Sequence, residues 1–319
     1  MMATDSGEPP QSTDQYAGVI PAYLGLVLIW SATPLSVVLS LRDLDAVWAL
    51  TLRMVLAAIL ASLLLKALGL RLARDRAALQ LYAIGSLSMF GAMMLTYLGA
   101  RHLPSGMISV LFGLSPLMVG LLSQIFLRES RLSALQWLGM LLGVLGLAAI
   151  FLEGDSMAAI HGPSVLMVLA GVLCYAVSAM WMKRMPHSLP PLVQTCGALW
   201  ISALACVLVL PVLGGAAPDH MPGVVSLSAL LFSASMGSIV AMFCYFFLLQ
   251  RIAVGTMALT TLITPVFALL LGILINHERF HASTLWGMGL IMLGLAGYYE
   301  VELRRLFLRM SLREDAGMA

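Results

Sequence analysis

The sequence predicts an all-α integral membrane protein of ten transmembrane helices, arranged as two inverted five-helix repeats. Three observations carry that expectation. Of 319 residues, 61% are hydrophobic and only 10% are charged, against about a quarter charged in ordinary soluble domains. The apolar residues fall into long continuous runs, without the alternation of a membrane β-barrel. Finally, residues 104–151 recur in register as residues 253–299.

The recurrence is an ordered series of matches. Gly106, Pro116 and Glu129 correspond to Gly255, Pro265 and Glu278 at one constant offset. After a one-residue slip, Gly139, Met140, Gly146 and Ala148 correspond to Gly287, Met288, Gly294 and Ala296. Coincidences in order and in register define an internal repeat.

Along the chain, residues 1–17 are polar and acidic, with Asp5, Glu8, Asp14, Pro9 and Pro10, and read as a disordered tail. No Lys or Arg precedes the first apolar run, so a cleaved signal peptide is not expected. Apolar segments follow at 18–40, 46–66, 79–99, 104–127 and 133–152, the first repeat (18–152). A second set lies at 163–184, 191–213, 227–249, 256–276 and 283–303, the second repeat (163–303). Most approach the ~20 residues that cross a bilayer core. Residues 304–319 form a basic tail. The short connections leave no room for a soluble catalytic domain.

Charge sets the orientation. With a cytoplasmic N-terminus, the inner loops hold Lys66, Arg71, Arg74, Arg76, Arg128, Arg131, Lys183, Arg184 and Arg251. The C-terminal end adds Arg304, Arg305, Arg309 and Arg313, whereas the outer loops hold only Arg42, Arg101 and Arg279. The positive-inside rule therefore puts both termini in the cytoplasm. Five segments per repeat is an odd number, so the copies enter from opposite sides. Inverted repeats build secondary transporters, with sites near the midplane between them.

The residues then resemble the EamA family of the drug/metabolite transporter superfamily, over about residues 18–303. The likeness rests on two five-segment halves, each with a Pro in its fourth helix and a Glu in the following loop. It is supported by Trp30–Ser31–Ala32 in the first segment, Arg53 in the second and Cys174–Tyr175–Ala176 in the sixth. Ser31 departs from the family's commoner Gly. The resemblance implies a multi-pass bacterial inner-membrane transporter, often an exporter of amino acids or other small metabolites, with no particular substrate. Efflux is expected on that ground alone.

The candidate substrate-binding residues are Trp30, Ser31, Thr33, Arg53, Ser88, Tyr97, Ser115, Tyr175, Ser178, Trp181, Ser238, Tyr245, Thr261 and Thr264. Aromatics would wall a cavity, and hydroxyls would orient a small amphiphilic ligand. Any one hydroxyl in a membrane helix can equally serve only its own backbone or a neighbouring helix. Arg53 is the formal charge well inside a span. It either binds a substrate carboxylate or snorkels toward the outer interface near Asp45. Pro116 and Pro265 interrupt their helices' hydrogen bonding and are candidate gate points, in matched positions. Glu129 and Glu278, near Arg128, Arg131 and Arg279, are either gate ion pairs or solvated loop charges.

Other features exclude chemistry. No Asp or Glu lies deep in a span, and all six His lie in or beside loops, so no buried proton relay or activated nucleophile is visible. The four Cys lie in apolar runs without metal or redox spacing. No metal, cofactor or nucleic-acid partner is expected. An intramembrane enzyme is disfavoured, and a passive channel or non-transporting scaffold stays as the alternative to a carrier. The Met residues, among them Met89, Met93, Met94, Met107 and Met118, suit an adaptable apolar surface or ordinary core packing. Segments 5 and 10 are Gly-rich, with Gly139 and Gly143 at GxxxG spacing, and read as packing struts or a homodimer face.

Overall fold

The structure, a computed structural model, describes residues 18–127, 133–151, 161–185, 189–213, 217–249, 251–252, 254–278, 280 and 282–300. The expected tails and Glu129 lie outside the described residues. All regular structure among the described residues is helical. In chain order the helices are α1 (Val19–Ser40), α2 (Ala46–Ala67), α3 (Arg76–Gly99) and α4 (Ser105–Phe126), and α5 (Ala134–Phe151). They continue as α6 (Gly162–Arg184), α7 (Pro191–Leu213), α8 (Val224–Leu248), α9 (Val254–Asn276) and α10 (Ala282–Tyr298).

Seven of these, α1 to α4 and α6 to α8, are long and apolar enough to cross a membrane. The other three contain shorter apolar stretches, Ala134–Ala149, Thr260–Asn276 and Leu285–Tyr298. Helix starts are set locally. The Asp45 side chain accepts from the Val47 N–H at 2.9 Å to start α2, and Asp75 accepts from Ala78 N–H at 3.2 Å to start α3. The structure starts α3 three residues before the expected segment, because Asp75 caps it and the exposed Arg76 remains in the first turn.

Packing joins the halves. Helix α2 lies along α7, α1 along α9, α4 along α9, and α3 along α6. The Gly-rich pair α5 and α10 runs antiparallel. A Cβ on Gly139 would overlap the carbonyl of Gly294, and one on Gly146 would overlap that of Gly287. Gly143 meets Leu117 and Leu114. The small-residue face of α5 is thus occupied within the chain.

Two helices widen midway. Residues Leu87–Ala92 of α3 and Ser233–Val240 of α8 are π-helical, and they hold corresponding places in the third helix of each half. Such wide turns recur at functional sites because they shift side chains off the α-helical register.

Candidate transport cavity

A cavity of ≈150 Å³ opens between α1, α2, α3, α4, α6, α8 and α9. These two mid-helix π-helical stretches face it, through Ser88 and Met89 of α3 and Gly237 and Ser238 of α8, whereas a third, Ser123–Leu127 at the end of α4, does not. Its apolar lining includes Met54, Met89, Met93, Phe112 and Met242.

Arg53 is the charged residue of the lining. It is 3% exposed. Its Nε donates to Ser238 Oγ at 3.0 Å, and one terminal nitrogen lies 3.4 Å from Tyr97 Oη. The guanidinium carbon stands 5.9 Å from the Tyr97 ring centre, within reach of a cation–π attraction. Among the described residues no carboxylate pairs with it. Asp45 pairs instead with Arg101, so Arg53 turns inward rather than to the outer interface. The guanidinium's other terminal nitrogen lies beside Gly237, 3.3 Å from where a Cβ would stand. A larger residue there would crowd it.

Four of the lining hydroxyls share one polarity. Thr33 donates to Ile29 O at 2.7 Å, Ser88 to Gly85 O at 2.8 Å and Thr96 to Ala92 O at 2.7 Å. Ser238 donates to Ser233 O at 3.0 Å while accepting from Arg53. With their protons committed to backbone, these groups offer oxygen lone pairs to a ligand. The cavity therefore combines one strong donor with several acceptors.

Of the expected binding residues, the cavity gathers Trp30, Thr33, Arg53, Ser88, Ser115, Tyr175, Ser238, Thr261 and Thr264. Tyr97 and Tyr245 stand just behind: Tyr97 supports Arg53, and Tyr245 packs on Trp30 with ring centres 5.5 Å apart. Ser31 donates to Val27 O and Ser178 to Ile84 O, each away from the lining. Trp181 is 54% exposed on the outside of the bundle. Pro116 and Pro265 do not line the cavity, although the preceding Ser115 and Thr264 do.

Sequence reasoning passed over Pro34, Thr96, Gly237 and Met242. A signal for Pro34 was present: Thr33–Pro34 repeats the Ser/Thr–Pro pairing of Ser115–Pro116 and Thr264–Pro265. All three pairs put at least one residue on the lining. The prolines act differently, however. Leu114 interrupts the α-helical hydrogen bonding of α4, and Pro116 sits in the first turn of the restarted helix. Pro265 lies inside the unbroken α9.

One end of the bundle is tied by side chains. The Glu278 carboxylate accepts from the backbone N–H groups of Ser105, at 2.9 Å, and Gly106, at 3.3 Å. It also accepts from Asn276 Nδ2 at 3.0 Å, and Asn276 Oδ1 accepts from Arg42 at 2.8 Å. Asp43 accepts from the Gly223 N–H at 2.8 Å. Hydrogen bonds from Ser226 and Gly223 hold its carboxyl below the usual carboxylate range. Glu278 thus makes a helix cap across the halves, satisfying N–H groups that α4 itself cannot. Ser105 lies one turn before Ser109 of the lining.

A helical bundle with seven helices long and apolar enough to cross a membrane, enclosing a largely apolar cavity that holds one guanidinium and several hydroxyls, fits the class of polytopic membrane transporters. The chain belongs to the EamA-like transporter family, whose model matches residues 17–152 and 162–299. It is 24% identical over 273 residues to the inner membrane transporter YedA of Escherichia coli K12, covering 85% of this chain and 87% of that one. It is 25% identical over 281 residues to the transporter YoaV of Bacillus subtilis, covering 87% and 95% respectively. A solved crystal structure matches the fold with a TM-score of 0.61 at 17% identity, over 91% of this chain and 99% of its own.

Proposed function

We propose that the protein is a secondary transporter that moves a small zwitterionic or amphiphilic metabolite, amino-acid-like in outline, by alternating access. The observation that carries this reading is the buried Arg53, without a carboxylate partner among the described residues, facing a cavity of hydroxyl lone pairs and thioethers. A ligand carboxylate would meet Arg53, an ammonium would meet the oxygens of Thr33, Ser88 and Thr96, and an apolar side chain would rest among Met54, Met89, Met93 and Phe112. A buried guanidinium without a counter-ion is unfavourable in a membrane, so a carboxylate gains a partner that the fold leaves open.

In this reading the ten helices all cross the inner membrane and both termini are cytoplasmic. The antiparallel α5–α10 pair, with equivalent glycines exchanged across the contact, supports the inverted relation of the two halves. The Glu278 cap on α4 closes the outer end, and release of its two N–H bonds accompanies opening there. Efflux follows from the family resemblance. The polar partner is the substrate itself, with the bilayer around it, and neither a cofactor nor a metal takes part.

Counterflow in proteoliposomes tests the proposal. Vesicles loaded with a panel of amino acids, matching amines and matching carboxylic acids should show saturable exchange that is strongest for molecules carrying both groups. Flux that does not saturate and shows no counterflow would assign a channel instead. A preference for amines over carboxylates would remove Arg53 from the site.

A further inference from the structure

A second concavity lies apart from the transport cavity. It is a groove of ≈660 Å³ where the end of α2 turns toward α3 and meets α7. Its lining includes Lys66, Arg71 and Arg74 together with Ser62, Leu65, Leu70 and Cys196. We propose that this groove holds the head group of one anionic phospholipid.

Charge is the first argument. Three cations border one groove, and no acidic residue is part of its lining. Their side chains make no hydrogen bond or ion pair among the described residues. Asp75, the neighbouring acid, points its carboxylate at the first turn of α3. Three unpaired cations around a void present a phosphate diester with several donors at once.

Amphipathicity is the second argument, and it selects a lipid over a free anion. Leu63, Leu64 and Leu68 are exposed along the end of α2, where acyl chains would lie beside a head group seated on the cations. Trp200 is also exposed, and its indole N–H donates to Ser62 Oγ at 2.8 Å at the groove. An aromatic with a polar tip held at this level marks the membrane interface. Basic pockets between helices at that level bind anionic head groups.

The groove is also formed rather than incidental. The Tyr82 hydroxyl donates to Ala73 O at 3.2 Å, which fixes the loop, and the Leu70 N–H donates to Leu65 O at 2.9 Å. Gly69 turns the chain with φ of 67°, and a Cβ there would meet only open space. The corresponding connection between α7 and α8, residues 214–223, contains no Lys or Arg. The basic groove is therefore a feature of one half and not of the repeated scaffold.

Native mass spectrometry of the purified full-length chain tests the inference, with phosphatidylglycerol titrated against phosphatidylcholine of the same chain length. The wild type should retain phosphatidylglycerol better by on the order of a hundredfold. The variant Lys66→Gln/Arg71→Gln/Arg74→Gln should lose most of that preference, on the order of a hundredfold at about fivefold per cation. Arg76→Gln removes an exposed neighbouring cation outside the groove and should leave the preference intact. Equal retention by the triple variant, or equal loss from Arg76→Gln, would overturn the site. Displacement of the lipid by millimolar inorganic phosphate or glycerol 3-phosphate would reassign it to a soluble anion and overturn the lipid assignment. If the triple variant does not fold, Arg71→Gln alone should weaken retention about fivefold, and an unchanged value would again count against the groove.

Discussion

Helices α2 and α7 hold the second place in their respective halves and pack against each other, yet they contribute differently to the cavity. Both bury small and apolar residues, Ala49, Ala57 and Ala61 on α2 and Ala198, Leu199 and Ala203 on α7. Only α2 brings a charge, Arg53, and α7 contains none. The second half answers through α8, whose π-helical turn places Ser238 against the Arg53 Nε. The scaffold is duplicated, whereas the Arg53–Ser238 contact is not. In the proposed cycle, duplication supplies two bodies that move against each other, and the divergence between them gives the cavity its polar direction.

The sharpest way to break that asymmetry is to remove its charge. Arg53→Gln should reduce counterflow of a carboxylate-bearing substrate by about a hundredfold, the scale for losing one partner of a buried charged contact. Arg53→Lys keeps the charge but not the fork that reaches Ser238 and Tyr97 together, so it should recover only part of the loss. Uptake curves with KM resolved from maximal rate would show the effect chiefly in KM. Unchanged KM in both variants would place the substrate elsewhere.

The closure between halves should respond next. A Cβ at Gly272 would overlap the Glu278 carboxylate, so Gly272→Ala should displace it from the α4 N-terminus. Glu278→Gln keeps an acceptor but loses the charge, and a charge-assisted bond contributes about 1.5–3 kcal/mol. Both variants should raise maleimide labelling of Ser109→Cys, in a background lacking the native cysteines, by about tenfold. Labelling is to be applied from the side bearing residue 278. Rates equal to the parent's would show that the cap does not govern access.

Much of this arrangement was legible in the sequence because hydrophobic run length and repeat register are one-dimensional signals. The helices α1 to α10, the paired glycines of α5 and α10, and the polar faces of α1, α4 and α9 all follow from such signals. The π-helical stretches did not, since an inserted turn leaves no composition mark in Leu87–Ala92 or Ser233–Val240. Hydroxyl direction was also hidden. Ser31 and Thr33 stand two residues apart and both bond backbone one turn back, but only Thr33 reaches the lining. The role of Glu278 required a contact across 172 residues or more, where local reading offered only an ion pair or a solvated charge.

The α5–α10 seam allows a smaller test, on stability rather than on transport. Gly294→Ala would drive a methyl into the Gly139 carbonyl, whereas a Cβ on Gly289, on the same helix, meets nothing within 4 Å. Overpacking of this kind costs about 1–3 kcal/mol, and an Ala at the open position should be neutral or slightly favourable. Unfolding midpoints of the two variants in detergent should separate by several degrees in that order. Equal midpoints would mean that the two halves are not held together along this seam.

The smallest effect belongs to a pair of tryptophans that sequence alone treats alike. Trp30 lines the cavity and packs on Tyr245. Trp181 stands on the outer surface of α6. Trp30→Ala should therefore raise KM about fivefold, in line with the ~1 kcal/mol of an aromatic contact beyond its buried area. Trp181→Ala should leave KM within about twofold of the parent, since an exposed side chain has little burial to lose. A Trp181 effect as large as that of Trp30 would mean that α6 turns its outer face inward during the cycle. In that case the cavity seen here is only one of the two surfaces that the substrate meets.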